Sequence, residues 1–268
     1  MAARHQVKAG LRFLRRTLAD PISATWYRGL AKSRFAPGFS GAHPDVKSAL
    51  ASIKPGRKRG YNHPELAEVS FKRMCQLQLW DYPVLYWLNQ LKRPGLRLLD
   101  AGGHLGTRYI AFGQHIDLSD IHWVIQDLPA IIAEAKQRQK AGELPAAIRY
   151  EADLAQAGPA DVLLASGLFQ YIDSGFHDLV AKLANRPQYV LLNKVATRDG
   201  PSVTTLERIG PSMVPYQMRN REAFEADIQG AGYQIRDSWE IKPLSHVIPT
   251  HPHLGASTSR GYLLENVE

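Results

Sequence analysis

The chain has 268 residues, of which 44% are hydrophobic and one is a cysteine, and its formal net charge at pH 7 is +8. This length suits one α/β domain with an extension, the single Cys75 excludes an internal disulfide, and no run of about 18 apolar residues exists to span a membrane. Because the N-terminus also lacks the apolar core and cleavage site of a secretory signal, we expect a cytoplasmic protein.

Positive charge is concentrated in a basic N-terminal extension, residues 1–60. These residues contain 13 Lys or Arg and two acids, a charge of +11, whereas the remaining 208 residues carry −3. Val7, Leu11, Leu14 and Leu18 recur at helical spacing beside basic side chains. This pattern is typical of a helix on an anionic membrane surface, here the inner face. Packing on the domain or on a second subunit of an oligomer is the alternative, and nucleic acid is the least favoured partner.

A helical cap or linker, residues 61–94, follows the extension. Its apolar residues recur at helical spacing over 64–91, and Pro83 is expected to break or kink that helix. The alternating strands and helices begin after it, so we assign residues 95–268 to a cofactor-binding domain.

The most informative stretch reads as a strand, a glycine-rich turn and a helix N-terminus. The apolar run 96–99 precedes the candidate cofactor-binding residues Asp100, Gly102, Gly103, His104 and Gly106. Glycines let the backbone turn sharply against a ligand, and the helix predicted over 107–112 offers free N–H groups to it. Nucleotide-type cofactors are held in this way at the carboxyl edge of a parallel sheet.

Two cofactor fingerprints can be compared with this turn. The dinucleotide pattern G-x-G-x-x-G appears only with Ala101 in place of its first glycine. The pattern D-x-G-x-x-x-G fits as Asp100, Gly102 and Gly106, and it resembles the first motif of class I S-adenosylmethionine (SAM) methyltransferases. Those enzymes usually have a further glycine where His104 stands, which leaves as an alternative a non-catalytic relative that binds no cofactor or serves as a partner subunit. An NAD-dependent oxidoreductase is the other alternative, and the Asp100 motif disfavours it.

The segments after the turn alternate between apolar strands and helices, which predicts a doubly wound, Rossmann-like parallel sheet of seven strands. No long helix separates the last two strands, 233–241 and 261–267, so they are expected to form a C-terminal antiparallel hairpin. That ending is usual in class I methyltransferases and less usual in NAD-binding domains.

Further candidate cofactor-binding residues follow the later strands. They are Asp127, Leu128, Asp153, Ser166 and Gln170. An acid after the second strand suits hydrogen bonds to ribose hydroxyls, and its Asp-Leu-Pro sequence resembles the ribose-binding segment of small-molecule O-methyltransferases. The same resemblance implies that Asp153 contacts the adenine amino group.

Candidate catalytic residues must lie beyond the carboxyl ends of the strands. Methyl transfer needs alignment of acceptor and methyl group, and a hydroxyl acceptor benefits from a general base. His246 is the candidate base, with Tyr171 and Asn193 as residues that align the acceptor. No metal is expected, because no acid or cysteine near the loop histidines completes a ligand set.

Motifs upstream of the turn add a second resemblance. Phe-x-Gly at 39–41, Gly-Tyr-Asn-x-Pro at 60–64 and Trp-Asp-Tyr-Pro at 80–83 are similar to segments of a family of bacterial methyltransferases. Members tend to lie among genes for surface polysaccharide or lipopolysaccharide synthesis. The resemblance covers the chain from about residue 35 onwards and names no acceptor. With the cofactor motifs, it leads us to expect a methyltransferase that uses SAM and methylates a small molecule or glycan precursor at an oxygen.

Overall fold

The computed structural model describes residues 20–31, 33 and 35–267, so the helix predicted near the N-terminus, over 7–18, lies outside the described residues. The α-helices are α1 (Asp20–Ala31), α2 (Val46–Ala51), α3 (Pro64–Glu68), α4 (Phe71–Met74), α5 (Tyr82–Leu91), α6 (Thr107–Phe112), α7 (Pro129–Lys140), α8 (Phe176–Val180) and α9 (Arg221–Gly230). Single 3₁₀ turns occur at Leu79–Asp81, Leu154–Gln156, Lys242–Leu244 and Pro252–Leu254. The strands are β1 (Phe39–His43), β2 (Lys58–Arg59), β3 (Leu96–Ala101), β4 (Ile121–Gln126), β5 (Arg149–Glu151), β6 (Val162–Ser166), β7 (Tyr189–Arg198), β8 (Val203–Ile209), β9 (Ser212–Asn220), β10 (Tyr233–Ile241) and β11 (Thr258–Asn266).

Seven strands form the central sheet in the spatial order β5-β4-β3-β6-β7-β11-β10. The pairs from β5 to β7 are parallel, whereas β11 is antiparallel to both β7 and β10. The prediction of a doubly wound, Rossmann-like sheet with a C-terminal antiparallel hairpin is therefore confirmed. Strand order reverses between β3 and β6, and ligands of such sheets bind in the crevice at that switch point.

Both faces of this sheet are covered by helices, which is why its central strands read as continuous apolar runs. Leu98 and Leu164 pack in one buried cluster with side chains of α5, α6 and α7. Their neighbours Leu99 and Leu163 pack in a second cluster with α8 and α9. Successive side chains of a strand point to opposite faces, so two separate cores hold the strand ends in place.

Four strands that the sequence analysis did not predict form a lobe beyond the carboxyl edge of β6. β8 and β9 make an antiparallel hairpin, β1 pairs with β8, and β2 pairs with β9. β9 also pairs with the end of β7, which runs to Arg198 instead of ending at Asn193. We call β1, β2, β8, β9 and α2 the lobe. Pro215 hides β9 in the sequence, because proline lacks the N–H that a central strand normally donates.

The helices of the cap are shorter than the sequence pattern predicts. Instead of one broken helix over 64–91, it contains α3, α4, a 3₁₀ turn and α5. Pro83 lies in the first turn of α5, where its missing N–H has no intrahelical partner to lose. Proline therefore begins the last cap helix here and does not interrupt it.

Candidate functional site

A cavity of about 540 Å³ lies at the carboxyl edge of the sheet, at the switch point between β3 and β6. The carboxyl ends of β4, β3 and β6 line it, together with residues from inside β7 and the lobe strands β9 and β8. Its volume is within the range of small-molecule pockets in proteins. We call the end at β3 and β4 the turn end, and the end at β8 and β9 the lobe end.

The turn end is built by backbone that only glycine adopts without strain. Gly102 and Gly106 have φ values of +72° and +90°, and a Cβ on Gly103 would lie 2.7 Å from the Asp100 carboxyl carbon. His104 also has a positive φ, +57°. Histidine is among the residues that tolerate this left-handed region best. The position where the resembled motif has glycine thus keeps the glycine conformation.

Asp100, the residue before the end of β3, carries a carboxylate that faces the Trp123 indole and makes no hydrogen bond of normal geometry with a described residue. The side chain is 1% exposed, and neither carboxylate oxygen has a hydrogen-bond partner among the described residues. Burial raises the pKa of Asp100 to about 7, while the Arg108 guanidinium acts in the opposite direction. A buried carboxyl of this kind is stabilised by a cationic or hydrogen-bonding ligand.

Asp127, after β4, holds the turn in shape. Its two oxygens accept the backbone N–H groups of His104, at 2.8 Å, and of Leu128, at 2.7 Å. Burial raises the pKa of Asp127, and these two hydrogen bonds act in the opposite direction. Each carboxylate oxygen has a second lone pair, so the same side chain can still accept hydrogen bonds from a ligand.

Several buried polar atoms around the cavity lack partners in the part of the chain that the structure describes. They are both carboxylate oxygens of Asp100, both ring nitrogens of His104, Ser166 Oγ and Gln170 Oε1. Buried polar groups in proteins nearly always have a hydrogen-bond partner. Four such residues on one cavity wall indicate a polar ligand. Burial lowers the pKa of His104 to about 4, so its neutral ring offers one donor and one acceptor.

Lys194 brings an amine into the middle of the same cavity. It follows Asn193 on β7 with a φ of +60° and lines the cavity. Burial lowers the pKa of Lys194 to about 8, and the Arg108 charge lowers it further. The sequence marks Lys194 only as the residue after a predicted strand, so nothing local reveals its position.

The lobe end combines an acid with aromatic rings. The Tyr171 hydroxyl donates to Glu207 Oε2 at 2.7 Å, and burial raises the pKa of Glu207 to about 7. The ring of Tyr171 lies 5.7 Å from that of Tyr61 and 5.6 Å from that of Tyr216. A carboxyl that titrates near neutral pH in a cavity is suited to accept a proton.

His246 lines the lobe end as well. Its ring packs 4.7 Å from Phe39 and 6.2 Å from Tyr216, and burial lowers its pKa. The side chain is half-buried. His246 therefore lies on the cavity wall. Glu207, which the sequence analysis missed, is more buried than His246.

A buried ion pair joins the cap to the turn. Arg108, in the first turn of α6, is paired with Asp81 and also donates to the Met74 carbonyl. Asp81 is fully buried, and it accepts the Gln78 N–H at 3.0 Å. Asn193 donates to Asp81 at 3.4 Å. The Trp-Asp-Tyr-Pro motif thus contributes the carboxylate that fixes the cap above the cavity.

The structure brings most of the predicted site residues to one cavity. Those that line it are Asp100, Gly102, Gly103, His104, Asp127, Leu128, Ser166, Gln170, Tyr171 and His246. Gly106, Asp153 and Asn193 do not. Asp153 is exposed and accepts the Ala155 N–H at 3.0 Å, and the Asn193 side chain is taken up by Asp81 and by the Trp239 indole at 3.2 Å.

Gly106 serves the turn without touching the cavity, since a Cβ there would lie 2.6 Å from Ile148. The residues that the sequence analysis missed are Tyr61, Arg108 and Glu207, whereas Lys194 was placed at the end of a predicted strand without a role. Tyr61 lies within the Gly-Tyr-Asn-x-Pro motif of the family resemblance, and that motif was the one sequence signal that could have identified it.

Two observations concern a metal ion and a membrane. Among the described residues, no group of three or more His, Cys, Asp or Glu side chains is placed to hold a metal ion. Within the same part of the chain, no helix has the length and apolar character needed to cross a bilayer.

Comparisons with known proteins give structural likenesses only, because no protein-family profile and no curated protein sequence matches the chain. Magnesium protoporphyrin IX methyltransferase from Synechocystis PCC 6803, with bound S-adenosylhomocysteine, is 14% identical and has a TM-score of 0.44, over 75% of this chain and 86% of that one. An S-adenosylmethionine-dependent methyltransferase from Clostridium acetobutylicum is 12% identical, with a TM-score of 0.43 over 75% and 93%. The Burkholderia thailandensis 1,6-didemethyltoxoflavin-N1-methyltransferase, with bound S-adenosylhomocysteine, is 17% identical, with a TM-score of 0.43 over 75% and 80%. Identities below 20% and TM-scores below 0.5 do not establish a shared activity.

Proposed function

We propose that this chain is a SAM-dependent methyltransferase that methylates a hydroxyl group of a small molecule or glycan precursor. The observation that carries the proposal is the set of unpartnered buried polar groups of Asp100, His104, Ser166 and Gln170 around a glycine turn at the switch point. A structural turn alone would leave these groups at an energetic cost. A ligand with several hydrogen-bonding groups removes that cost.

The residues at the turn end fit the charge distribution of SAM. Asp127 would accept the ribose hydroxyls, as its place after β4 favours. Asp100 and Gln170 offer oxygens to the ammonium group, and Lys194 offers a cation to the carboxylate. Acidic side chains here also suit a ligand that carries a sulfonium charge.

Bound SAM supplies an electrophilic methyl group whose bond electrons return to sulfur when the methyl leaves. The acceptor hydroxyl must then lose its proton, and we assign this proton to Glu207. Tyr171 donates to Glu207 and so fixes its orientation. The rings of Tyr61 and Tyr216 flank this pair and exclude water from it.

The first experiment is calorimetric titration of the protein with SAM, S-adenosylhomocysteine and NAD. We expect the two SAM-type ligands to bind with one site per chain and NAD not to bind. Tight NAD binding alone would make the chain an oxidoreductase candidate. Binding of none of the three would favour a non-catalytic relative.

We also propose that the extension makes peripheral contact with an anionic membrane. On α1, Ile22 is 73% exposed and Trp26 is 68% exposed, one helical turn apart on the same face. Exposed tryptophan beside a strongly basic segment suits the lipid interface. The charge of +11 on residues 1–60 is the complementary sign for anionic lipid.

A further inference from the structure

A second cavity, of about 340 Å³, lies between α1, β1 and the segment that follows α2. Its titratable lining side chains are all basic, and we call it the basic pocket. They are Arg28, His43, Lys54, Arg57 and His251. Among the residues that the structure describes, no Asp or Glu lines it. The acid whose charge acts on His43 is Asp45, which is exposed and accepts the Ser48 N–H at 2.6 Å.

The basic pocket is distinct from the cavity of the proposed methyl transfer. Leu206 on β8 and Met213 on β9 line the basic pocket, whereas their chain neighbours Glu207 and Val214 line the other cavity. Successive side chains of a strand point to opposite faces. The lobe sheet therefore lies between the two cavities, and the basic side chains are not explained by the first site.

Hydrogen bonds hold the basic groups in place. Thr250 is buried, and its hydroxyl accepts the Gly41 N–H at 2.8 Å and lies 2.9 Å from His251 Nδ1. The Thr250 carbonyl accepts Arg28 Nε at 3.1 Å, and Arg57 donates to the Ser33 carbonyl at 2.5 Å. These contacts use one N–H of each arginine, whereas a guanidinium has five. The remaining donors belong to side chains whose positions are already fixed.

Basic groups that converge in this way repel one another unless an anion lies among them. Burial lowers the pKa of His251, and the charges of Arg28, His253 and His43 lower it further. Arginine forks match the oxygens of phosphate, and several cations favour an anion of more than one charge. We propose that the basic pocket binds a phosphate or diphosphate group of a ligand.

The test is calorimetric titration of the full chain with inorganic pyrophosphate at low salt, with methyl transfer playing no part in the readout. We expect saturable binding at one site per chain, weakened at least tenfold in Arg28→Gln/Arg57→Gln. The matched control is Lys72→Gln/Arg73→Gln, which removes the same charge from the exposed residues of α4. It should bind within twofold of the parent. Lys54→Glu, at an exposed position, gives a second variant if the arginine pair fails to fold.

Two sources of phosphate are separated by vesicles of phosphatidylglycerol. If the basic pocket binds pyrophosphate but not vesicles, its ligand is a soluble molecule. If pyrophosphate releases the protein from vesicles, the ligand of the basic pocket is a lipid headgroup. The proposal is overturned if pyrophosphate does not bind the parent, if acetate binds equally well, or if the control variant loses as much affinity as the arginine pair. Vesicle binding without pyrophosphate binding also overturns it.

Discussion

The two ends of the main cavity are assembled in different ways. The turn end comes mostly from one contiguous stretch, residues 100–108, with a second short segment after β4. The lobe end takes Tyr61, Tyr171, Glu207 and His246 from four distant parts of the chain. In the proposed function the turn end holds the cofactor, through the glycine turn and the polar side chains around it, and the lobe end accepts the proton. A site built from one contiguous stretch leaves a motif in the sequence, whereas a site assembled by strand pairing leaves none.

The largest expected effect belongs to the lobe end. Glu207→Gln should lower methyl transfer by roughly 10²- to 10⁴-fold if the carboxylate takes the proton, while S-adenosylhomocysteine affinity stays within twofold. Since the ionised carboxyl is the base and its pKa is raised to about 7, the parent rate should rise with pH up to about 7 and then level off. The assay follows labelled methyl from SAM into fractions of small molecules and glycan precursors.

The matched control for that variant is Glu143→Gln, which changes an exposed glutamate and should leave the rate unchanged. Full activity of Glu207→Gln would show that a group other than Glu207 is the base. His246→Ala is then the next variant, with a loss of about 10²-fold expected if that ring takes the proton.

The next largest effect is expected from breaking the ion pair that joins the cap to the turn end. Arg108→Met leaves the Asp81 carboxylate buried without its cation, and removing one partner of a buried pair costs about 3–5 kcal/mol of unfolding free energy. Arg236→Met breaks an exposed pair with Glu265 and should cost at most about 1 kcal/mol. Urea unfolding of both variants measures the contrast. Equal losses would mean that the cap is not held by this pair.

Asp100 gives the turn end a pH signature in the absence of ligand. Its pKa is raised from 3.8 to about 7 by burial, so between these values the folded chain holds a proton that the unfolded chain releases. The contribution of Asp100 to the unfolding free energy should therefore fall as pH rises from about 4 to 7, by at most about 4 kcal/mol. Asp100→Asn should remove that part of the slope. The slope that remains combines Glu207, whose raised pKa acts in the same direction, with His104, whose pKa is lowered to about 4 and which acts in the opposite direction.

Asp127 tests the turn end through binding. Asp127→Ala should weaken S-adenosylhomocysteine binding, because a charge-assisted hydrogen bond contributes about 1.5–3 kcal/mol. Its carboxylate also holds the backbone of His104 and Leu128, so part of the loss reflects the turn. Asp120→Ala, on an exposed turn, is the matched control in the same calorimetric titration. Unchanged affinity in Asp127→Ala would contradict the ribose assignment.

The smallest effect on the cavity is expected from the extension. Deletion of residues 1–34 should leave S-adenosylhomocysteine affinity within twofold, because Val46 is the first of the described residues that lines the main cavity. The same deletion should abolish binding to anionic vesicles, and binding of the parent should weaken as salt rises. Loss of cofactor binding in a folded deletion variant would show that the extension shapes the site. Vesicle binding that is absent, or that ignores salt, would remove the membrane proposal.

Sequence alone determined the central sheet and the turn end. Apolar runs with helical connections specify a parallel sheet because each strand is buried on both faces. Gly102 and Gly106 mark backbone with positive φ, and Asp127 marks the end of the next strand. These signals act within a few residues, so they can be recognised before the chain is folded.

The lobe, the basic pocket and the lobe end of the cavity depend on long-range contacts and could not be predicted from the sequence. Glu207 and Tyr171 are separated by 36 residues and meet because β9 pairs with the end of β7. Arg28 and Thr250 are separated by 222 residues. Long-range pairing of this kind depends on the whole hydrophobic arrangement and on burial, which sets the charge state of Glu207. No local sequence pattern specifies the long-range pairing or the burial.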